Sequence, residues 1–214
     1  MSLAYIFHLA NYSDGILYIL FIFFLIALTV MIDRFWSLRV TILRGQSLIL
    51  HTSGYDKLDQ ADLTALLKEA GSLPEAELVD TALKFSHFEQ SEIRNRLEET
   101  ILLLAPRLDR RLWLLDTIVT LAPLMGLFGT IIGMFHAFNV LALPGHAPTE
   151  VTGGVADALA ATAFGIFIAM FGLAGYNALS NQVRLIVHQL ESLKAMLVNR
   201  MDKTSTVSLS PSNL

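Results

Sequence analysis

All 15 Lys and Arg of this 214-residue chain fall in two windows, eleven between Arg34 and Arg111 and four between Arg184 and Lys203. None occurs in 1–33 or 112–183. A soluble protein has no reason to segregate its cations so completely. A membrane protein does, because Lys and Arg concentrate in short cytoplasmic loops. Composition agrees: 54% of residues are apolar and 16% charged, against about 25% charged in ordinary soluble domains. The absence of Cys excludes disulfides, Cys-ligated zinc, iron–sulfur clusters and thiol catalysis. The net charge of −4 gives no reason to expect nucleic acid as a partner.

The cation-free windows hold three apolar segments. Residues 15–32 (GILYILFIFFLIALTVMI) carry no charge, and at ~1.5 Å per residue they nearly cross a ~30 Å hydrocarbon core. No Lys or Arg precedes them and Asp33-Arg34-Phe35-Trp36 follows, so they read as an uncleaved transmembrane helix and not as a signal peptide. The second segment, 112–143, is longer than a membrane needs. Its first turns, with Asp116, Thr117 and Thr120, are expected to project into the cytoplasm. The third is 153–179, after a turn marked by Pro144, Gly145 and Pro148. The cations then set the orientation. Residues 1–14 are an external segment, 33–111 a cytoplasmic helical insert, 144–152 an external hairpin, 180–202 a cytoplasmic helix and 203–214 a disordered tail. The fold class is an all-α membrane protein with three transmembrane helices, N-out and C-in, whose long helices extend into the cytoplasm. Trp36 and Trp113 fall at the inner interface, where indole rings prefer to sit.

Within the insert, Asp59–Ala70 reads as a helix ended by Gly71. Glu75–Phe88 reads as an amphipathic helix with Leu78, Val79, Ala82, Leu83 and Phe85 on one face. Ser91 is placed to cap a helix from Glu92 through Leu97, Ile101, Leu104 and Leu108, kinked at Pro106. Beyond segment three, Leu185, Leu190, Leu193 and Leu197 continue a helical stripe.

Segments two and three differ from segment one, which is large and greasy all round. Gly126, Thr130, Gly133 and Ala137 form one narrow face, with Gly129 nearby. Gly154, Ala158, Ala161, Gly165, Ala169, Gly172 and Tyr176 recur at helical spacing on the third. Small faces let membrane helices approach closely. A three-helix bundle has little interior to fill, so two such faces point to packing between subunits and to an oligomer. Asp157 stands about one turn inside the third segment, with Thr130 and Thr162 deeper. A carboxylate in hydrocarbon costs at least about 2.5 kcal/mol, so it is expected at a lumen or subunit interface; reaching the external surface or being protonated is the alternative. Threonine in a membrane helix ordinarily bonds its own i−4 carbonyl, so each threonine alone says little. Beside an acid on Gly/Ala-rich helices they suggest a polar lining. Pro123 removes one backbone donor; a passive kink and a hinge or wet opening are both compatible with it. His136, Asn139 and His146 sit near the external side, where solvation accounts for them more simply than pH sensing. No metal-ligand spacing, nucleophile elbow, P-loop or Rossmann glycine run occurs. The expectation is no enzyme, no metal and no cofactor.

Two stretches, LLDTIVTLAPLMGLFGTIIGMFHAF (114–138) and GVADALAATAFGIFIAMFGLAGYN (154–177), resemble the MotA/TolQ/ExbB proton-channel family. The likeness lies in the APLxGLxGT element (Ala122, Pro123, Leu124, Gly126, Leu127, Gly129, Thr130) and the G-x-x-[ED]-A-L-x-x-T-A element (Gly154, Asp157, Ala158, Leu159, Thr162, Ala163). The three-helix layout with a long insert resembles the ExbB/TolQ branch and not the four-helix MotA branch. The resemblance implies a bacterial inner-membrane, multi-pass subunit forming a ring of five around two copies of an ExbD/TolR-like partner. That partner has a single membrane helix whose aspartate takes and releases the proton. Thr130 and Thr162 would line the path and Asp157 would lie on it or at the subunit contact. Proton flow would drive a TonB- or Tol-like effector; a stator for surface motility and a non-conducting scaffold are the alternatives. Two departures stand out. Asp157 replaces the branch's usual Glu, and Ala169-Met170-Phe171 stands where the family usually has Ala-Ile-Pro, so the third helix should be straighter at its inner end.

Overall fold

The computed structural model describes residues 15–141 and 148–201. The expected segments 1–14 and 203–214, and residues 144–147 of the expected hairpin with Pro144, Gly145 and His146, lie outside the described residues; residues 148–152 are already helical. What is described is almost wholly helical: α1 (Ile16–Ser53), α2 (Gln60–Ala70), α3 (Pro74–Lys84), α4 (Gln90–Leu108), α5 (Leu112–Leu141) and α6 (Pro148–Arg200). α1, α5 and α6 are each long and apolar enough to cross a membrane. The chain is therefore a multi-pass, all-α membrane protein.

Two units form. The first comprises residues up to Phe35 together with Arg111–Ser180; the second comprises Trp36–Arg110 and Asn181 onward. Neither α1 nor α6 ends at its apolar stretch: α1 is one 38-residue helix and α6 one 53-residue helix. Segment one thus has no break at residue 33. The reason is local: Asp33 to Ser53 contains a single Gly, Gly45, and no Pro, so nothing stops the helix.

In the first unit, α5 and α6 run antiparallel. Gly133 lies against Ala158, Gly126 against Ala161 and Thr162, Gly165 against Ala122, and Gly172 against Val119. α1 packs on this pair through Ile16, which touches Gly129, and Met31, which touches Gly175. Phe24 of α1 joins Phe164, Phe167 and Phe171 of α6 at 5.8–6.4 Å between ring centroids, within the range for favourable aromatic pairs. Phe171, which stands where the family usually has proline, is thus a packing residue in an unbroken helix.

The second unit has a core of large aliphatic side chains. Leu63 and Leu66 of α2, Leu78 and Val79 of α3, Leu97 of α4, and Ile186, Leu190, Leu193 and Leu197 of α6 are all at most 1% exposed. One residue of the expected α6 stripe is corrected: Leu185 is 47% exposed and Ile186 takes the buried position. The i, i+3, i+4 pattern runs Val183, Ile186, Leu190, Leu193, Leu197, and Leu185 falls about a third of a turn off it.

α2 begins at Asp59, whose carboxylate caps the backbone while Asp62 reaches back to the Asp59 N–H; this is a capping box with Asp in place of Glu. It ends at Gly71 with φ +56°, a conformation that suits glycine. α3 stops at Lys84, short of the expected Phe88. α4 starts at Gln90 after Glu89, with no side-chain cap, so Ser91 lies inside the helix and does not cap it. Pro106 sits in the last turn of α4, and the chain breaks not there but three to five residues on. Arg111 has φ +80° and donates from Nη1 to Asp33 Oδ2 at 2.7 Å. This break separates α4 from α5 where the sequence pattern suggested a kinked continuation.

Candidate membrane site

The small faces of α5 and α6 meet each other. A Cβ added to Gly165 would lie 2.5 Å from the Ala122 carbonyl oxygen. One on Gly126 would lie 2.9 Å from both the Ala161 oxygen and the Thr162 Cα, and one on Gly133 2.6 Å from the Ala158 Cβ. Such distances leave room for hydrogen only. The seam is a backbone-to-backbone contact within one chain, formed by the same faces that the sequence led us to expect between subunits. Van der Waals contact over that area replaces the hydrophobic drive that lipid does not provide. Much of what remains exposed on α5 and α6 is large and apolar, including Leu124, Leu127, Phe128, Ile131, Phe135, Phe138, Leu159 and Met170.

Thr162 uses this closeness. Its Oγ1 donates to the Gly126 carbonyl oxygen across the seam at 2.8 Å. Other threonines of the apolar helices bond within their own helix. Thr29 donates to Leu25, Thr117 to Trp113, Thr120 to Asp116 and Thr117, and Thr130 to Leu127 at 2.6 Å. Self-bonding is the ordinary behaviour; Thr162 departs from it, and it can do so only because residue 126 has no side chain.

Thr130 is 6% exposed, on the face shared with Gly126 and Gly133. Asp157 is half-buried and immediately precedes Ala158, the residue Gly133 packs on. The structure thus brings Thr130 and Thr162 to one seam and sets Asp157 at its edge, in an apolar segment that contains no cation. A donating threonine hydroxyl keeps its oxygen lone pairs as acceptors. Pro123 is half-buried within an α5 that continues through it; the helix accommodates the missing donor without ending. Among the described residues no group of three or more His, Asp or Glu is arranged to hold a metal.

Residues 70–192 match the model of the MotA/TolQ/ExbB proton channel family. The chain belongs to this family. Similar proteins include the biopolymer transport protein ExbB-like 3 of Synechocystis sp., 33% identical over 72% of this chain and 75% of the relative. The Tol-Pal system protein TolQ of Haemophilus influenzae is 41% identical over 37% of this chain and 35% of its own length. An ExbB homolog of Methanothermobacter thermautotrophicus is 25% identical over 66% of this chain, which spans about half (51%) of that relative. These relatives place the chain in the ExbB/TolQ branch. The family match takes in the whole α5–α6 seam and Thr130, Asp157 and Thr162, together with α3, α4 and the second unit's part of α6 up to Ser192.

The sequence pattern missed two features. The crossing bond of Thr162 was invisible because it depends on which carbonyl the glycine face exposes. Glu75 was read only as the start of an amphipathic helix, yet it is fully buried.

Proposed function

We propose that the chain is the ring-forming stator and channel subunit of a proton-motive-force-driven motor in the bacterial inner membrane, oriented N-out and C-in. Family membership supports the proton-channel class, and the single observation that carries the site is the Thr162–Gly126 bond in a cation-free seam beside Asp157. The translocated proton needs a titrating carrier. The seam's own polar groups are hydroxyls, which relay or stabilise but do not hold a proton. The carrier in this reading is an aspartate on the single helix of an ExbD/TolR-like partner dimer, passing Thr130, Thr162 and Asp157. A membrane potential supplies about 2.3 kcal/mol per charge per 100 mV, passed on as motion to a TonB- or Tol-like effector. The chain supplies walls and stator, takes no cofactor and makes or breaks no covalent bond.

The exposed apolar surface left on α5 and α6 is where neighbouring subunits of a homopentamer or the partner helices would seat, since the glycine faces are already occupied within the chain. A non-conducting scaffold is the rival reading, favoured by the fact that both threonine hydroxyls already have carbonyl acceptors. Proton flux into vesicles containing the chain and its partner separates the two. Thr162→Val and Asp157→Asn should each cut flux at least tenfold while leaving the complex assembled; unchanged flux in both assembled variants sinks the channel reading.

A further inference from the structure

Glu75, at the second position of α3, is 0% exposed, and neither carboxyl oxygen has a hydrogen-bond partner. A side chain so placed is rare, because a buried unpaired carboxylate is among the most unfavourable groups a fold can contain. Its surroundings are specific. Glu75 Oε1 presses against Gly45 of α1 so closely that a Cβ there would overlap it, and Gln189 Oε1 of α6 is 3.3 Å from the same point. Gln189 Oε1 is likewise buried without a partner. Its orientation is fixed, since Gln189 Nε2 donates to the Ile42 carbonyl oxygen at 3.1 Å. Three acceptor oxygens therefore converge in the core of the second unit with no donor among them.

Among the described residues no side chain donates a hydrogen bond to them. On α1, Arg44 is exposed and His51 pairs with Glu69 of α2 at 2.7 Å. Lys68 of α2 and His188 of α6 are exposed. Lys194 of α6 pairs with Glu191 at 2.5 Å. On α3 itself Glu77 pairs with Arg107 of α4 at 2.9 Å and Asp80 with Lys84 at 2.5 Å. A hard metal ion such as Ca²⁺ takes about 6–8 oxygens, and these three are joined by no second acid. One proton satisfies the set: placed on Glu75, it turns an acceptor into a donor facing Gln189.

We propose that Glu75 and Gln189 form a proton-binding site in the second unit, in which Glu75 is a neutral carboxylic acid that donates to Gln189 Oε1 and holds α3 against Gly45 of α1 and against α6. Burial pushes the Glu75 carboxyl above its ordinary value of 4.5, partly offset by its own backbone N–H, which lies near the carboxyl without making a hydrogen bond to it. A raised folded value means that the fold prefers the protonated form. Glu75 therefore withdraws stability as pH rises from the unfolded value through the folded one. Ionisation of the site as pH rises leaves a bare charge in the core and loosens α3. The site uses no residue of the membrane seam, so it stands or falls separately from the channel reading.

The experiment uses the full chain in detergent micelles, followed by infrared spectroscopy and thermal unfolding across about pH 5 to about pH 9. At neutral pH the wild type should show a protonated carboxyl carbonyl band that Glu75→Gln lacks. Glu75→Gln should unfold at a temperature equal to or above the wild type and lose less stability with rising pH. Gln189→Leu removes the acceptor without touching the acid, so the band should persist and move to higher frequency, as for an acid without an acceptor. This readout serves also if Glu75→Gln does not fold. The proposal is overturned if no such band exists at neutral pH, if the band ignores Gln189→Leu, or if Glu75→Gln is less stable than the wild type with an unchanged pH slope. The last outcome would mark Glu75 as an ordinary charged acid at a helix N-terminus.

Discussion

α6 is one unbroken helix, and its buried residues change size along its length. In the first unit they begin with Gly154, Ala158, Ala161 and Gly165, and of the buried residues that follow up to Ser180 only Ile168 and Leu179 are large; in the second they include Ile186, Leu190, Leu193 and Leu197. The spacing is the same and the period is the same. Lipid is as apolar as leucine, so helices in it gain nothing by hiding leucine and associate through close backbone contact instead. Water rewards each buried large side chain by about 1.5–3 kcal/mol. The seam of the first unit is therefore governed by what must be absent, a Cβ at 126, 133 and 165. The core of the second is governed by what must be present.

That contrast can be broken by mutation, and the largest effect should lie in the aliphatic core. Leu193→Ala empties a fully buried position and should lower stability by about 2–5 kcal/mol in chemical unfolding of the full chain. A loss below 1 kcal/mol would mean that the second unit is not packed as described. Next in size, Gly165→Ala pushes a methyl against the Ala122 carbonyl oxygen and should destabilise by about 1–3 kcal/mol. Gly153→Ala, on the same helix with nothing within 4 Å, should be neutral or stabilising by up to about 1 kcal/mol. If the two glycines respond alike, the seam does not depend on backbone proximity. Smallest should be Asp80→Ala, which removes an exposed i, i+4 pair with Lys84 and should change stability by about 0.5 kcal/mol or less. A larger loss would assign that surface a role the core comparison does not foresee.

Much of this was legible before any coordinates. Asp59 and Gly71 announced both ends of α2 because caps act within one turn. The cation-free windows announced the three apolar helices, because charge in hydrocarbon is prohibitive whatever the fold. The glycine faces were legible as faces but not as partners. Spacing says that Gly126 and Gly133 share a side of α5; it does not say that Ala158 and Thr162 of the same chain cover it. Ser91 and Leu185 went astray for a related reason. A cap or a stripe can shift by one residue at little local cost, and the packing of neighbouring helices decides the register.

The sequence by itself determined where the long apolar segments lie along the chain, how many helices are long enough to span a bilayer, and which family elements they carry. These follow from transfer energies and periodicity, which are properties of short segments. The tertiary structure alone decided that the two small faces close on each other, that Thr162 spends its hydroxyl on the Gly126 carbonyl, and that Glu75 ends in a pocket of acceptors with Gly45 and Gln189. Each of those is a meeting of residues at least 25 positions apart in the chain. Local chemistry gives every such side chain its options, and only the packing of the other helices chooses among them.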